Sequence, residues 1–155
     1  MKYIIRIIKI TNVKNFAYII LGVVFLFSFV NKNELNFDKG DGIQFSDMSF
    51  EDALKEAKST NKLIFMDAYA AWCGPCKMMA KKTFTDSKVG EVFNENFINL
   101  KIDMEKGEGP ALAKRYGVRA YPTLYFINGD GEVVHKIVGA LGPDDFLERS
   151  APALK

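Results

Sequence analysis

The chain of 155 residues has only two cysteines, one histidine and one tryptophan. Two cysteines exclude a secreted scaffold held together by several disulfides, and they also exclude a zinc site built from four cysteines. Hydrophobic residues make up 48% of the chain and charged residues 26%, which are ordinary proportions for a globular protein and exclude a disordered or collagen-like chain. A folded domain is therefore expected, and any sulfur chemistry in it must use this single pair of cysteines.

The formal net charge of +2 is unevenly distributed along the chain. Residues 1–30 contain four basic residues and no acidic one, whereas the remainder contains 17 basic and 19 acidic residues. The main part of the chain is therefore slightly acidic, and it lacks the excess of positive charge that binding to nucleic acid requires.

Residues 16–30 (FAYIILGVVFLFSFV) carry no charge and follow the four basic residues, an order that is typical of a signal peptide. Together with the flanking asparagines the uncharged stretch reaches 17 residues, which is the lower limit for crossing a bilayer. No motif of small residues marks a cleavage site. Two outcomes stay open: removal near Val30, or retention as an anchor in the inner membrane. A buried core helix is less favoured because Ser28 is the one polar residue of the run.

In both outcomes the basic flank stays on the cytoplasmic side and the remainder is exported, so a periplasmic location is expected. Residues 31–42 (NKNELNFDKGDG) are polar and contain glycine, which is typical of a linker. The chain is therefore divided into a signal peptide or anchor over 1–30, a linker over 31–42 and a folded domain over 43–155.

Apolar periodicity and turn signals predict alternating helices and strands in this domain. An α/β fold follows, with a mixed sheet and helices on both of its faces. The predicted elements are a helix opening at Ser49, a strand over 62–69, a helix from about Cys73 to Lys82, a short helix over 91–95, a strand over 97–103, a helix over 110–116, strands over 123–127 and 132–138, and a last helix from Pro143.

The two cysteines form the motif Cys73-Gly74-Pro75-Cys76 between a predicted strand and a predicted helix. At a helix start, unpaired N–H groups and the positive end of the helix dipole stabilise a thiolate, so Cys73 should ionise more easily than an ordinary thiol. The thiolate is the attacking species in disulfide exchange. We expect Cys73 to be open to a substrate and Cys76, one turn further on, to be buried.

Two other uses of this motif are less favoured. It is often half of a zinc site, but the sole histidine, His135, lies far along the chain on a predicted edge strand. A structural disulfide is the other alternative, but closing so short a loop adds little stability. The spacing, with a strand before it and a helix after it, therefore predicts a redox-active pair.

The segment over 67–77 (DAYAAWCGPCK) resembles the active-site segment of the thioredoxins. Three further segments resemble that family in the same order: 117–124 (GVRAYPTL), 128–131 (NGDG) and 138–141 (VGAL). The resemblance covers about residues 43–154 and implies the thioredoxin fold. In its early helix and in the stretch over 83–86, the sequence is similar to bacterial exported thioredoxin-like oxidoreductases, including the soluble domain of the thiol-disulfide interchange protein.

The resemblance implies a role for each matching position. Cys73 matches the nucleophile, Cys76 the resolving thiol, and Asp67 the buried aspartate that exchanges a proton with the second thiol. Pro122 matches a cis-proline beside the redox disulfide, and the backbone of the residue before it pairs with substrate. The expected substrate-binding residues are Trp72, Gly74, Pro75, Tyr121, Pro122 and Gly139. For Asp67 a purely hydrogen-bonded aspartate, and for the two aromatics a core position, stay open as alternatives.

Two positions depart from the thioredoxin pattern. Many thioredoxins place a lysine near the buried aspartate, four residues before the aspartate that ends a later strand. With Asp103 as that second aspartate the position is Asn99, and Lys101 lies two residues further on. The stretch Met104–Gly109 also resembles an insertion, in a loop that could adjust the choice of partner.

The resemblance implies a thiol-disulfide oxidoreductase that acts on protein substrates carrying disulfides or thiols. Gly-Pro between the cysteines resembles the reducing thioredoxins, so we expect a reductase that receives electrons from a membrane donor of the thiol-disulfide interchange type. It implies no cofactor and no metal. The resemblance also implies a flat apolar groove for an extended peptide, edged by Trp72, Tyr121 and Gly139. The alternatives to the oxidoreductase are a thioredoxin-fold chaperone that uses this groove, or a metallochaperone that binds copper through Cys73, Cys76 and His135.

Overall fold

A computed structural model describes residues 42–154. The predicted signal peptide or anchor over 1–30 lies outside the described residues, as does all but the last residue of the predicted linker. Within 42–154 no helix is long and apolar enough to cross a membrane.

Four strands form one sheet in the order β2-β1-β3-β4. β1 (Leu63–Tyr69) lies between β2 (Phe97–Asp103), which is parallel to it, and β3 (Thr123–Ile127), which is antiparallel. β4 (Val133–Val138) pairs antiparallel with β3 at the edge. All four strands agree with the predicted bounds to within one residue, because short apolar runs between turn residues mark them clearly.

Among the described residues, five helices and a short 3-10 turn cover the two faces of this sheet. On one face α1 and α4 pack against Ile64 and Met66 of β1, and on the other α2, α3 and α5 pack against Phe65. The predicted mixed sheet with helices on both faces is therefore confirmed. The bounds are α1 Phe50–Thr60, α2 Gly74–Lys81, α3 Ser87–Asn96, α4 Gly109–Tyr116, α5 Pro143–Ser150 and the 3-10 turn Ala151–Leu154.

The start of α1 follows from the Ser49 side chain, which caps it. The Ser49 hydroxyl accepts the N–H of Asp52 at 3.1 Å and donates to the Asp52 carboxylate at 2.8 Å. One free donor of the first turn is thereby satisfied. The sequence signal at Ser49 predicted this helix start correctly.

Helix α3 is longer than the short helix predicted over 91–95. It begins early because the Asp86 side chain accepts the backbone N–H groups of Lys88 and Val89 at 3.0 and 3.1 Å. Gly90 disfavours a helix in isolation, but here it is buried, and the fully buried Phe93 one turn later packs against the sheet. Tertiary packing and an unrecognised cap therefore extend this helix beyond the prediction.

The loop over 104–108 is held at both ends. Its first residue, Met104, donates its N–H to the carbonyl of Tyr69 at 2.8 Å. Near its end the Glu108 carboxylate accepts the N–H of Phe50, at the start of α1, at 3.1 and 3.2 Å. The loop, which joins β2 to α4, is therefore hydrogen-bonded to the end of β1 and to the start of α1.

Gly109, at the end of this loop, lies close to the backbone of Asp103 and Met104 at its start. This close approach gives a test of the fold. A Cβ atom at residue 109 would collide with the carbonyl oxygen of Asp103 and lie 2.7 Å from the Cα of Met104. We expect Gly109→Ala to lower the free energy of unfolding by about 1–3 kcal/mol, the usual cost of overpacking. Urea unfolding measures this change. The matched control is Gly142→Ala, where a Cβ meets nothing within 4 Å; equal losses in the two variants would contradict the described loop.

Candidate active site

The two cysteines lie at the N-terminus of α2 and form a disulfide. Cys73 is the N-cap residue, and its sulfur accepts the N–H of Cys76 at 3.1 Å. Pro75 occupies the first turn, where its missing N–H leaves no donor unsatisfied. The chain reaches this position directly from β1, since the N–H of Cys73 bonds to the carbonyl of Ala70 at 3.0 Å. The position of Cys73 just after β1 therefore places its sulfur at the positive end of the α2 dipole.

Both half-cystines are buried in the disulfide form, each with 3% of its surface exposed. The expected burial of Cys76 agrees with this, whereas the expectation that Cys73 is open to solvent is wrong for this form. The reason is local packing: Ala70, Tyr69 and Tyr121 lie against the pair. Trp72, Gly74 and Pro75, the residues next to Cys73 in the chain and the first two of α2, are exposed.

Asp67 lies in the middle of β1 with no exposed surface, and neither of its carboxylate oxygens has a hydrogen-bond partner among the described residues. This excludes the alternative of an aspartate satisfied by backbone hydrogen bonds in that part of the chain. Burial raises the pKa of Asp67 to about 7, against a smaller lowering by the charge of Lys101. A carboxyl group with this pKa can both accept and return a proton near neutral pH.

Lys101 is the lysine that the structure places beside this carboxylate. It is the register partner of Asp67 on the parallel strand β2, and its Nζ lies 5.0 Å from the centre of the Tyr69 ring. Asn99, at the position where many thioredoxins carry the lysine, instead pairs with Phe65 and donates its side-chain amide to the carbonyl of Phe93 at 3.2 Å. Compared with the thioredoxin pattern, the positive charge therefore lies two residues further along the same face of β2.

The predicted substrate-binding residues come together around the disulfide from three separate segments. The Tyr121–Pro122 peptide bond is cis, and Pro122 is buried just before β3. Gly139 donates its N–H to the carbonyl of Pro122 at 2.9 Å and has a φ of 97°, a left-handed conformation that favours glycine. Gly74 and Pro75 are exposed beside the first sulfur.

Trp72 is the most exposed large apolar side chain near this disulfide, with 68% of its surface accessible. Its ring meets that of the half-buried Tyr121 edge-on, with 5.9 Å between the ring centres. A core position is therefore excluded for Trp72. The two aromatic rings form an apolar edge beside the redox pair.

His135 lies on the edge strand β4, as predicted, and its Nε2 is 2.7 Å from the carbonyl oxygen of Arg149. It is four residues before Gly139, which corresponds to about 13 Å along a strand. Among residues 42–154 no group of three histidine, cysteine, aspartate or glutamate side chains is arranged to hold a metal ion.

One site residue was missed at the level of the sequence. The carboxylate of Glu105 accepts the indole N–H of Trp72, with both oxygens 3.0 Å from Nε1. The insertion-like stretch Met104–Gly109 pointed to this loop, but nothing in the spacing shows which side chain the loop turns toward the disulfide.

The comparisons with known proteins agree with this geometry. A family model described as a thioredoxin-like domain matches residues 50–151, about two thirds of the chain. The chain belongs to the thioredoxin-like family. Together with the bonded pair, this makes it a thioredoxin-like oxidoreductase whose redox-active disulfide is Cys73–Cys76.

Curated thioredoxins match over most of this domain. Thioredoxin H4 of Arabidopsis thaliana is 45% identical over 87 residues, which are 56% of this chain and 68% of that protein. The thioredoxin of Chlorobaculum thiosulfatiphilum is 31% identical over 102 residues, which are 66% of this chain and 86% of that protein. The chain spans only 57% of thioredoxin Y1, chloroplastic, of Arabidopsis thaliana.

Several solved structures share both the fold and appreciable sequence identity with this chain, and two of them bear on its chemistry. A proposed disulphide isomerase from Bacteroides thetaiotaomicron is 51% identical, with a TM-score of 0.67, over 75% of this chain and 96% of that one. The C-terminal domain of Neisseria meningitidis DsbD, in its oxidised form, is 31% identical, with a TM-score of 0.51, over 63% of this chain and 84% of that one. The thioredoxin fold expected from the sequence is thus confirmed.

The raised pKa of Asp67 predicts how stability depends on pH. The folded state holds this proton more tightly than the unfolded chain, where the pKa is near 3.8. The resulting stabilisation is complete below about pH 4 and is lost as the pH rises through about 7. Between pH 5 and pH 8 the oxidised protein should lose on the order of 2–3 kcal/mol through this group.

Asp67→Asn removes the titrating group, so the variant should lose this part of the pH dependence. Urea unfolding of both oxidised proteins at pH 5 and pH 8 measures it. All other titrating groups are common to the two proteins, and their contributions cancel in the comparison. The same pH dependence in both proteins would contradict the described burial.

Proposed function

We propose that this protein is a thiol-disulfide reductase that acts on protein disulfides outside the cytoplasm through Cys73 and Cys76. The observation that carries the proposal is the disulfide at the N-terminus of α2. The strand that leads into it bears a buried carboxylate without hydrogen-bond partners among the described residues. A pair of cysteines with only a structural role has no need of such a carboxylate, which costs free energy to bury.

In the first step the reduced protein attacks its substrate. The thiolate of Cys73 forms a bond to one sulfur of the substrate disulfide, the substrate S–S bond breaks, and one substrate thiolate leaves. The product is a mixed disulfide between Cys73 and the substrate. The helix N-terminus favours this step because it stabilises the negative charge of the attacking sulfur.

In the second step Cys76 resolves the mixed disulfide. The Asp67 carboxylate takes the proton of the Cys76 thiol, and the Cys76 thiolate attacks the sulfur of Cys73. The Cys73–Cys76 disulfide forms, and the second substrate thiolate leaves. Two electrons have then passed from the protein to the substrate, and the oxidised form is the one described here.

The direction of electron flow is supported by the residues between the cysteines. Gly74 and Pro75 match the reducing thioredoxins, whose potential is about −270 mV. The similarity to thioredoxins of several organisms points the same way.

Export and the electron donor are supported by two further observations. Four basic residues precede the apolar run over 16–30, which is the layout of an export signal or of an inner-membrane anchor. The similarity to the C-terminal domain of DsbD supports a membrane donor of the thiol-disulfide interchange type, which would reduce the Cys73–Cys76 disulfide after each turnover.

The reduction potential tests the direction of the reaction. Equilibration of the full chain with defined ratios of reduced and oxidised dithiothreitol should give a value near about −270 mV. A value near about −120 mV, the range of strong oxidants, would show that the protein oxidises its partners and would overturn the proposed direction.

Trapping tests the substrates and the compartment. Cys76→Ser leaves Cys73 able to attack but removes the resolving thiol, so mixed disulfides with partners should accumulate. Tagged full-length protein, expressed in its own host and quenched with acid, should carry adducts that a reductant releases. Mass spectrometry should identify exported proteins and a membrane donor among them.

Cys73→Ser is the matched control, because it retains one thiol but lacks the attacking one. Adducts that are equally abundant in the control would contradict the assignment of Cys73 as the nucleophile. Adducts confined to cytoplasmic proteins would contradict the proposed export while leaving the chemistry intact.

A further inference from the structure

The loop over 104–108 places the carboxylate of Glu105 at the edge of the redox site. The proposed reaction does not use this carboxylate. Both oxygens of Glu105 lie 3.0 Å from the indole nitrogen of Trp72. The loop backbone is fixed beside it, since the N–H of Glu105 donates to the Asp103 carboxylate at 3.1 Å. Glu105 is thus held at this place by its own backbone as well as by its side chain.

Trp72 depends on this bond for its orientation. With 68% of its surface exposed, it is not held by core packing, and its aromatic contact is the edge-on approach to Tyr121. A hydrogen bond between a charged acceptor and a neutral donor is stronger than one between neutral groups. The hydrogen bond to Glu105 is thus the polar contact by which the exposed indole ring is attached to the rest of the site.

The negative charge of Glu105 also acts on Tyr121, one of the residues expected to bind substrate. Among residues 42–154 no lysine or arginine forms an ion pair with it. Burial raises the pKa of Tyr121, and the negative charges of Glu105 and then Asp103 add to the increase. A carboxylate that lacks a cationic partner at the edge of a groove attracts positive charge in the ligand.

We propose that Glu105 is a positioning and specificity residue. It holds Trp72 at the edge of the groove, and it selects disulfides whose cysteines are flanked by lysine or arginine. This inference rests on the proposed reductase function and names the class of substrate that the same site takes.

Two substitutions separate the two roles. Glu105→Gln removes the charge but keeps an oxygen that can accept the indole N–H, whereas Glu105→Leu removes both. The control is Glu132→Gln, which changes the net charge equally at the hairpin that joins β3 to β4, at the opposite end of β3 from Pro122.

Fluorescence anisotropy measures how firmly the indole ring of Trp72 is held in place, because Trp72 is the single tryptophan of the chain. In the oxidised full-length protein, Glu105→Leu should lower the anisotropy and increase quenching by acrylamide. Glu105→Gln should restore both values close to those of the unchanged protein. An unaltered signal in Glu105→Leu would overturn the positioning role.

Selectivity is measured with two disulfide-bonded peptides that differ in having lysine or glutamate beside their cysteines. The quantity compared is the ratio of the rate constants with which the reduced protein reduces them, so the intrinsic reactivity of the peptides cancels between variants. Glu105→Gln should lower the preference for the lysine peptide by roughly two- to fivefold, the range of an exposed ion pair. The effect should shrink at high salt.

The outcomes distinguish the inference from the function on which it rests. Peptide reduction that is abolished by Cys73→Ser but shows the same lysine preference in Glu105→Gln and in the unchanged protein would overturn the specificity role alone. An equal loss of preference in Glu132→Gln would assign the preference to net charge and overturn it as well. Failure of the unchanged protein to reduce either peptide would overturn the reductase function and this inference with it.

Discussion

The central strand β1 is the element on which the rest of the structure depends. Each of its residues from 64 to 68 has no exposed surface, because strands flank it on both sides and helices cover both faces. A one-residue shift of its register would turn every side chain to the opposite face of the sheet, where the packed neighbours are different. Its C-terminal end therefore has a defined position, and the loop to Cys73 starts from it.

The same burial creates the chemical property of the site. A carboxylate in water is fully solvated, whereas Asp67 has no exposed surface and no hydrogen-bond donor among the described residues. Lys101 is close enough to lower the pKa of Asp67, but its effect is smaller than that of burial. The balance leaves the pKa of Asp67 near neutral pH, where a group that accepts and returns a proton is most effective. Burial of the Asp67 carboxylate without hydrogen-bond partners among the described residues destabilises the fold, as is common at functional sites.

The region around the disulfide combines rigid and variable parts. The strand, the helix N-terminus and the turn at Pro122 hold the reacting sulfurs, and the loop over 104–108 adds Glu105 at the exposed edge. Loops of this kind can change without disturbing the core. The residues of this loop can therefore alter the exposed edge of the site while the elements that hold the sulfurs stay in place.

The sequence by itself determined the secondary structure and the identity of the redox pair. Strand bounds followed from short apolar runs, the start of α1 from Ser49, and the cysteine pair from its spacing, because all of these are local patterns. It did not show the full length of α3, where buried contacts of Phe93 and the Asp86 cap outweigh the low helix propensity of Gly90. Neither did it show that Cys73 is buried in the disulfide form.

Only the tertiary structure decided which charges lie beside the reacting groups. Lys101 rather than residue 99 faces Asp67 because the register of two parallel strands aligns them. Glu105 meets Trp72 across 33 residues of sequence because the loop after β2 passes the loop after β1. Such pairings depend on how distant segments are arranged in space, and no spacing along a single chain specifies that arrangement.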